Sequence, residues 1–333
     1  MEVVFFPLLD LPTIEMIGIM GLFLAVRNHT TIALIESQYG ISLDLRMARR
    51  CVKHSLEHSG REKGKTMGKG RGKMAADLDI ALLDRPEISQ FIFYPRRDPQ
   101  PEDDIALYPV EVEHGVSVVC RFYPAVRGIA TILYFHGNGE TAGDYDLVSS
   151  LYTSLGINLF VADYRGYGLS SGEPTIGHIL QDAHPISNRL REVLRQGGYA
   201  EAIFVMGRSL GSAPAIELAF RSQDALKGLI VESGFSDAFR LLGYIGLPIT
   251  IPQQRKEGFP NGERMRSIRI PTLLIHGAED QLIPLREAEE LLQLCVAEEK
   301  RLVVIPQADH NTLMMVGRDR YLQAIEGFIK SNA

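Results

Sequence analysis

The stretch "VMGRSLGSA", residues 205–213, places a single serine, Ser209, between two glycines at two-residue spacing, directly after an apolar run. An apolar run that leads straight into a helix predicts a tight turn. Glycines at 207 and 211 leave room for that turn and for close packing of the helix on the strand. Such a turn lifts the serine hydroxyl above the sheet, beside the free N–H groups of a helix N-terminus. The alternative is that Ser209 only caps the helix.

Short apolar runs recur along the chain and alternate with longer mixed segments. The runs are rich in Val, Ile, Leu and Phe, which is typical of strands buried on both faces of a mainly parallel sheet. The alternation predicts an α/β fold, a doubly wound, mostly parallel sheet flanked by helices. The predicted strands are VSVVCRFY (116–123), TILYFHG (131–137), NLFVADY (158–164), AIFVMG (202–207), GLIVES (228–233), TLLIHG (272–277) and RLVVIP (301–306), and the predicted helices are about 143–155, 176–196, 210–222, 285–296 and 318–330.

Polar residues that suit nucleophilic catalysis follow several of these runs. The carboxyl ends of parallel strands share one edge of the sheet, so we expect these residues to lie together. A serine hydroxyl needs a base to remove its proton, and the chain order Ser209, Asp280, His310 is a known order for a Ser-His-Asp triad. Asn138 follows an early run. Its N–H and that of Leu210 can form an oxyanion hole.

Five motifs occur together and in order, and in this combination the chain resembles the α/β-hydrolase superfamily of serine hydrolases, with small lids, over about residues 110–333. The motifs are "HGNGE", "DYRGYGLSSGEP", "GRSLGS", "HGAEDQLIP" and "ADHNT". The combination is also similar to the branch that contains the Bem46-like proteins and the protein depalmitoylases of the α/β-hydrolase-domain group.

The resemblance implies an α/β-hydrolase fold with a minimal lid. It assigns catalysis to Ser209, Asp280 and His310, and the oxyanion hole to Asn138 and Leu210. The implied reaction is hydrolysis of an ester or thioester in a small-molecule or acylated substrate, through an acyl-enzyme and with no metal or organic cofactor. The alternatives are a peptidase or amidase of the same fold and a catalytically silent binding module.

Two further segments bear on this expectation. Some relatives carry the acid after the strand that here ends with "GLIVES", which makes Glu232 the alternative to Asp280. About 35 residues, 235–269, precede the next strand, too few for a large helical lid. Within them, residues 239–254 are apolar and proline-punctuated, so they either line an acyl-binding cleft or pack on the core.

The N-terminal 73 residues differ in character from the rest of the chain. Residues 46–73 carry a net charge of +8, which leaves −14 for the rest. An acidic body gives no reason to expect nucleic acid as a partner. The apolar run at 16–26 is shorter than the about twenty residues that span a membrane. We therefore predict an N-terminal extension over 1–73 and a hydrolase domain over 74–333.

The extension has two alternative interpretations. Its apolar run and basic block together favour weak association with a membrane surface. Met74, however, begins a sequence that reads like the natural start of a folded domain. This suggests the second hypothesis, that residues 1–73 come from an over-long gene prediction.

Two motif-like strings and the cysteines indicate no further chemistry. The string "GREKGKT" (60–66) has the wrong glycine spacing for a phosphate-binding loop, and "HSLEH" (54–58) lacks a clear third zinc ligand. The three cysteines, Cys51, Cys120 and Cys295, are widely spaced and form neither a disulfide framework nor a zinc pattern. A cytoplasmic location is the simplest expectation, with membrane association as the alternative.

Overall fold

The computed structural model describes residues 80–90, 92–99, 105–126, 128–244 and 261–333. The predicted N-terminal extension, its two interpretations, the strings at 54–58 and 60–66 and the start of the predicted hydrolase domain lie outside the described residues. No helix within the described ranges is long and apolar enough to cross a membrane. All the elements described below belong to the compact unit of residues 72–241 and 250–333, except the end of the helix Ala238–Tyr244, from residue 242 onward.

An eight-stranded sheet runs through the described part of the chain. Its strands are β1 Ala106–Glu113, β2 Val116–Tyr123, β3 Ala130–Phe135, β4 Ile157–Ala162, β5 Ile203–Arg208, β6 Gly228–Glu232, β7 Thr272–Gly277 and β8 Lys300–Ile305. They lie in the order β1-β2-β4-β3-β5-β6-β7-β8. The pairs β1–β2 and β2–β4 are antiparallel, and every other pair is parallel. The carboxyl ends of β3 to β8 therefore share one edge.

Helices α2 to α7 connect the parallel strands, as the alternation of the sequence predicts, whereas α1 precedes the sheet and α8 follows it. The helices are α1 Pro86–Ser89, α2 Tyr145–Thr153, α3 Ile176–Gly197, α4 Ser212–Arg221, α5 Ala238–Tyr244, α6 Asn261–Met265, α7 Arg286–Leu294 and α8 Leu313–Asn332. Every residue of β3, β4, β6 and β7 is buried, which explains why these strands read as continuous apolar runs. The predicted fold class, a mostly parallel sheet flanked by helices, is confirmed.

The core has a layer on each face of the sheet. Ile132 and Tyr134 of β3 pack in one cluster with Tyr152 of α2 and Tyr321 of α8. The hydroxyl groups of these two helix tyrosines are hydrogen-bonded at 3.0 Å. Alternate residues of a strand point to opposite faces, and α3 and α4, which pack on each other, cover the other face.

The sequence patterns missed β1, the short helices α1, α5 and α6, and the first turn of α8. β1 is an edge strand with one buried residue, Val110, and it contains Pro109, which has no N–H for a ladder bond. Its sequence therefore lacks the apolar run that marked the other strands. Helix α8 begins at Leu313 rather than near 318 because two helical pieces join across Gly317, whose backbone is not helical.

The junction between β5 and α4 is closely packed backbone on backbone. A Cβ atom at Gly207 would overlap the carbonyl group of Gly211. A Cβ atom at Gly211 would overlap the carbonyl groups of Phe135 and His136, at the end of β3. The backbone atoms of central strands cannot move aside to relieve such an overlap, whereas the end of a flexible side chain can. Glycine at both positions is therefore what lets α4 start directly against the sheet.

We predict that Gly211→Ala lowers the free energy of unfolding by about 1–3 kcal/mol, the usual cost of overpacking a core. Gly327→Ala is the matched control, because Gly327 lies on α8 and its added Cβ would have only Arg301 Nη2 near it, at 3.9 Å. Alanine at a helical position is favoured over glycine by about 1 kcal/mol, so this control should be stabilised. Urea unfolding followed by circular dichroism measures both. Equal stability of Gly211→Ala and the unchanged chain would contradict the packing argument.

Candidate active site

Ser209 occupies the turn between β5 and α4 in a left-handed backbone conformation. Its φ is 52°, in a region that residues other than glycine rarely adopt. The short 3-10 turn Ser209–Gly211 follows and leads into α4. Such a conformation costs about 1–3 kcal/mol and persists only where the surroundings impose it. The close packing of Gly211 on β3 fits this conformation, and the N-cap residues of the 3-10 turn and of α4 are Arg208 and Gly211 rather than Ser209.

Ser209, His310 and Asp280 form one hydrogen-bonded series, although 101 and 30 positions separate the bonded pairs. His310 Nδ1 lies 2.8 Å from Asp280 Oδ2, and His310 Nε2 lies 3.0 Å from Ser209 Oγ. An ionised carboxylate only accepts, so Nδ1 carries the hydrogen and donates it to Asp280. Nε2 is then free to accept the hydroxyl hydrogen of Ser209.

Asp280 is held by groups that donate to both of its oxygens. The N–H groups of Leu282 and Ile283 donate to Oδ1, at 3.0 and 2.8 Å. His276 Nε2 lies 3.4 Å from Oδ2, on the same side as His310. Burial by itself would raise the pKa of Asp280. The hydrogen bonds from His276 and His310 outweigh it and hold the pKa well below its usual value. Asp280 is therefore ionised.

His310 is buried, and its pKa is lowered from the ordinary value. Burial is the largest cause, because it disfavours the charged imidazolium. Asp280 opposes the shift, whereas the electrostatic effects of Arg208 and His276 on the imidazole add to it. The imidazole of His310 is therefore neutral at pH 7, as an acceptor of the Ser209 proton has to be.

Glu232, the alternative acid, binds other groups instead of His310. Its Oε2 accepts hydrogen bonds from Tyr321 at 2.6 Å and Tyr134 at 3.3 Å. Its Oε1 lies 3.2 Å from Arg208 Nε. Both carboxylate oxygens are thus engaged in a buried cluster under the site, while Asp280 holds the imidazole.

The loop after β3 is anchored by the side chain of Asn138. Its Oδ1 accepts from the Tyr94 N–H at 3.0 Å and from the Tyr167 hydroxyl at 2.7 Å, and its Nδ2 donates to the Ile92 carbonyl oxygen. The amide oxygen thus accepts two hydrogen bonds and the amide nitrogen donates one, so the side chain ties this loop to the segment 92–94 and to Tyr167. Leu210 directly follows Ser209 and opens the helical turn.

Asp163 supports the same loop from below. Its Oδ1 accepts the Ala142 N–H at 2.8 Å and lies 3.2 Å from His136 Nε2. The other ring nitrogen of His136 lies 2.8 Å from the Gly137 carbonyl oxygen. Both ring nitrogens of His136 are thus engaged in holding the loop.

Sequence reasoning missed two residues that contact the site. His276, inside β7, contacts Asp280 as described above. Arg208 ends β5 and donates through Nη2 to the His310 carbonyl oxygen and to Asn311 Oδ1, each at 2.9 Å. The sequence signal that could have indicated Arg208 is a charged residue at the end of a buried strand, directly before Ser209. Among the residues that the structure describes, no cluster of His, Cys, Asp and Glu is suited to hold a metal ion.

Comparison with known proteins identifies one family. The family model of the hydrolases described as serine aminopeptidase, S33, matches residues 127–239 and 262–315. α/β-Hydrolase domain-containing protein 17B of Homo sapiens is 30% identical over 233 residues, which cover 68% of this chain and 76% of that protein. The Xenopus laevis protein of the same name matches with the same identity and coverage.

Solved structures resemble the chain in fold. The Pyrococcus furiosus esterase Pf2001 is 17% identical with a TM-score of 0.58, and the match covers 72% of this chain and 98% of the esterase. A soluble variant of the Saccharomyces cerevisiae monoglyceride lipase, solved with a substrate analogue, is 15% identical with a TM-score of 0.54, over 72% of this chain and 99% of the lipase. At these identities the likeness concerns the fold alone.

The family model and the relatives match the sequence of this chain, and the solved structures match its fold. Both results agree with the resemblance that the motifs indicated. The predicted class of enzyme, a hydrolase, is confirmed with it. The chain is a member of the α/β-hydrolase family of serine hydrolases.

Proposed function

We propose that this chain hydrolyses an ester or thioester of a small-molecule or acylated substrate, through an acyl-enzyme formed on Ser209. The observation that carries the proposal is the hydrogen-bonded series from Ser209 Oγ through His310 to Asp280. Family membership supports hydrolytic chemistry in general. The strained backbone of Ser209 supports its assignment as the nucleophile, because strain of this kind clusters at functional sites.

In the first step, Ser209 Oγ attacks the acyl carbonyl carbon while its proton passes to His310 Nε2. Asp280 stabilises the imidazolium that forms and keeps its ring in the required tautomer. The carbonyl oxygen becomes an oxyanion, which the backbone N–H groups of Asn138 and Leu210 stabilise. One such donor is typically worth about a hundred- to thousandfold in rate.

In the second step, the tetrahedral intermediate expels the alcohol or thiol, which takes the proton from His310 Nε2. Water then attacks the acyl-enzyme, with His310 acting as base again, and the carboxylic acid leaves Ser209 free. Every proton that moves is carried by His310, so the reaction consumes only water and requires no cofactor.

For the segment 239–254, an acyl-binding cleft and packing on the core both stay predictions. Its described part, 239–244, lies in α5, where Phe239 is buried, and the remainder lies outside the described residues. A cavity of about 240 Å³ between α3 and α4 has a polar lining that includes His184 and Arg191 but not Ser209, so it is a poor candidate for the acyl site. The substrate analogue bound by the yeast lipase supports a small-molecule substrate.

A peptidase or amidase is the second candidate function, and the description of the matching family model favours it. A silent binding module is the third. Rates on p-nitrophenyl esters, acyl thioesters and aminoacyl anilides of matched acyl groups distinguish the first two. Turnover of the anilides above the esters would favour the peptidase.

A cytoplasmic location also stays a prediction, with membrane association through residues 1–73 as the alternative. The buried free thiols of Cys120 and Cys295 support a reducing compartment. Sedimentation with anionic vesicles, compared between the full chain and a chain that begins at Met74, tests the alternative. Mass spectrometry of the native protein tests the hypothesis that residues 1–73 come from an over-long gene prediction, and an abundant peptide from residues 2–27 would contradict it.

We predict that a fluorescent fluorophosphonate labels the unchanged protein and leaves Ser209→Ala unlabelled. Ser209→Ala and His310→Ala should each lower kcat by on the order of 10⁶-fold, since the residues of a triad act as a unit. Circular dichroism confirms that the variants are folded. A folded, unchanged protein that neither labels nor turns over any ester would favour the silent module.

We predict that Asp280→Asn lowers kcat about 10⁴-fold, because an amide no longer fixes the tautomer of His310. Glu232→Gln should cost far less, because Glu232 does not contact the imidazole. Steady-state kinetics on one ester compares the two variants. A larger loss for Glu232→Gln than for Asp280→Asn would assign the acid to Glu232.

We predict that the acid limb of the pH profile of kcat/KM has its midpoint below about 6.5, the ordinary value for histidine. His310 must be neutral to accept the proton, and its pKa is lowered chiefly by burial. Activity is therefore full above the ordinary pKa and is lost only as the pH falls through the lower, folded value. A midpoint above pH 7 would contradict the burial argument.

A further inference from the structure

Arg208 contacts both of the loops that complete the proposed site. We define the oxyanion loop as residues 136–140, after β3, and the histidine loop as residues 306–312, after β8. On the first side, Arg208 forms an ion pair with Glu140. Glu140 in turn accepts the Gly137 N–H at 3.0 Å, so the ion pair bears directly on the backbone of the oxyanion loop.

On the second side, the same guanidinium holds the main chain of the histidine loop. Nη2 donates at 2.9 Å to the His310 carbonyl oxygen and to Asn311 Oδ1. Arg208 thus binds the backbone of the residue whose ring accepts the Ser209 proton. It is also the residue directly before that serine, so one side chain joins all three parts of the site.

The guanidinium is itself anchored from below. Its Nε lies 3.2 Å from Glu232, which Tyr321 fixes through a 2.6 Å hydrogen bond. The Arg208 side chain is 13% exposed. A side chain at Gly137 would occupy its space. Arginine suits a position with several partners because its planar guanidinium group donates hydrogen bonds in several fixed directions, whereas lysine offers a compact point charge.

We propose that Arg208 is a positioning residue that ties the oxyanion loop to the histidine loop, so that the oxyanion donors and His310 approach Ser209 in a fixed relative geometry. The proposal rests on the proposed function of Ser209 and adds a determinant of its rate. A misplacement of about 1 Å in a catalytic group can cost about a hundredfold in rate. Loss of the contacts of Arg208 should therefore lower kcat and leave KM nearly unchanged.

The charge of Arg208 also reaches the imidazole. The charged and titratable groups around His310 are Asp280, His276 and Arg208, with Asp309 next to it in the chain. Of these, Arg208 and His276 lower the pKa of His310 and Asp280 raises it. Glu140 and Glu232 offset part of the charge of Arg208. Removing the guanidinium should therefore raise the pKa of His310.

The first experiment compares Arg208→Gln, which removes the positive charge, with Arg208→Lys, which keeps the charge but loses the planar set of guanidinium donors. Fluorophosphonate labelling run to completion counts the competent serines, and kcat is expressed per labelled serine. We expect both variants to lose about a hundredfold in kcat with little change in KM. The acid limb of kcat/KM should move to higher pH in Arg208→Gln and stay near its original position in Arg208→Lys.

Lys330→Gln is the matched control, because Lys330 pairs with Glu326 on the exposed end of α8, away from the site. It should leave kcat and the pH profile unchanged. Retention of unchanged kcat per labelled serine in Arg208→Gln would overturn the proposal. Full rescue of kcat by Arg208→Lys would also overturn it, since a point charge would then suffice.

The second experiment excludes a merely structural role. Arg208→Gln leaves the carboxylate of Glu140 without its cation, which should lower the melting temperature. Glu140→Gln combined with Arg208→Gln removes that unpaired charge and should restore part of the stability. We expect kcat of the double variant to stay low, and recovery of kcat together with stability would refute positioning. Absence of labelling and turnover in the unchanged protein would instead refute the proposed function.

Discussion

The backbone contact between Gly211 and the carboxyl end of β3 is the constraint on which the site depends. Because Gly211 has no Cβ, the first turn of α4 lies directly against the carbonyl groups of Phe135 and His136. This contact forces the chain from β5 into the helix within one residue, which Ser209 accommodates with a φ of 52°. It also brings the serine beside the loop that carries Asn138.

Two clusters of charged residues lie around that turn, and the charged groups of each are hydrogen-bonded or ion-paired. In the first, Asp280 stays ionised against burial because two histidines and two backbone N–H groups bind it. In the second, Arg208 stands between Glu140 and Glu232. Buried charges are tolerated only when they are paired and hydrogen-bonded. The same hydrogen bonds and ion pairs also orient the groups around Ser209, so the stabilisation of these charges and the geometry around Ser209 depend on the same contacts.

Family membership says less about the reaction of this chain than the residues around Ser209 do. The α/β-hydrolase fold hosts many reactions, so function has to be argued from the residues at the strand ends. Those residues support acyl transfer to water. Of residues 239–254 after β6, the described part lies within α5, where Phe239 is buried.

The sequence alone determined what depends on local pattern. Continuous apolar runs located seven of the eight strands, because a strand buried on both faces has no polar positions. The glycine spacing placed Ser209 on a turn, and the order of the motifs proposed Asp280 and His310 as its partners. The strand β1 escaped prediction because an edge strand needs little apolar surface.

Tertiary structure alone decided the contacts between residues that are remote in the chain. It separated Asp280 from Glu232, since both follow strands at the same edge and only the fold places one of them against His310. It also gave Arg208 and His276 their partners. No local pattern encodes such contacts, because they arise where loops from different strands meet above one edge of the sheet.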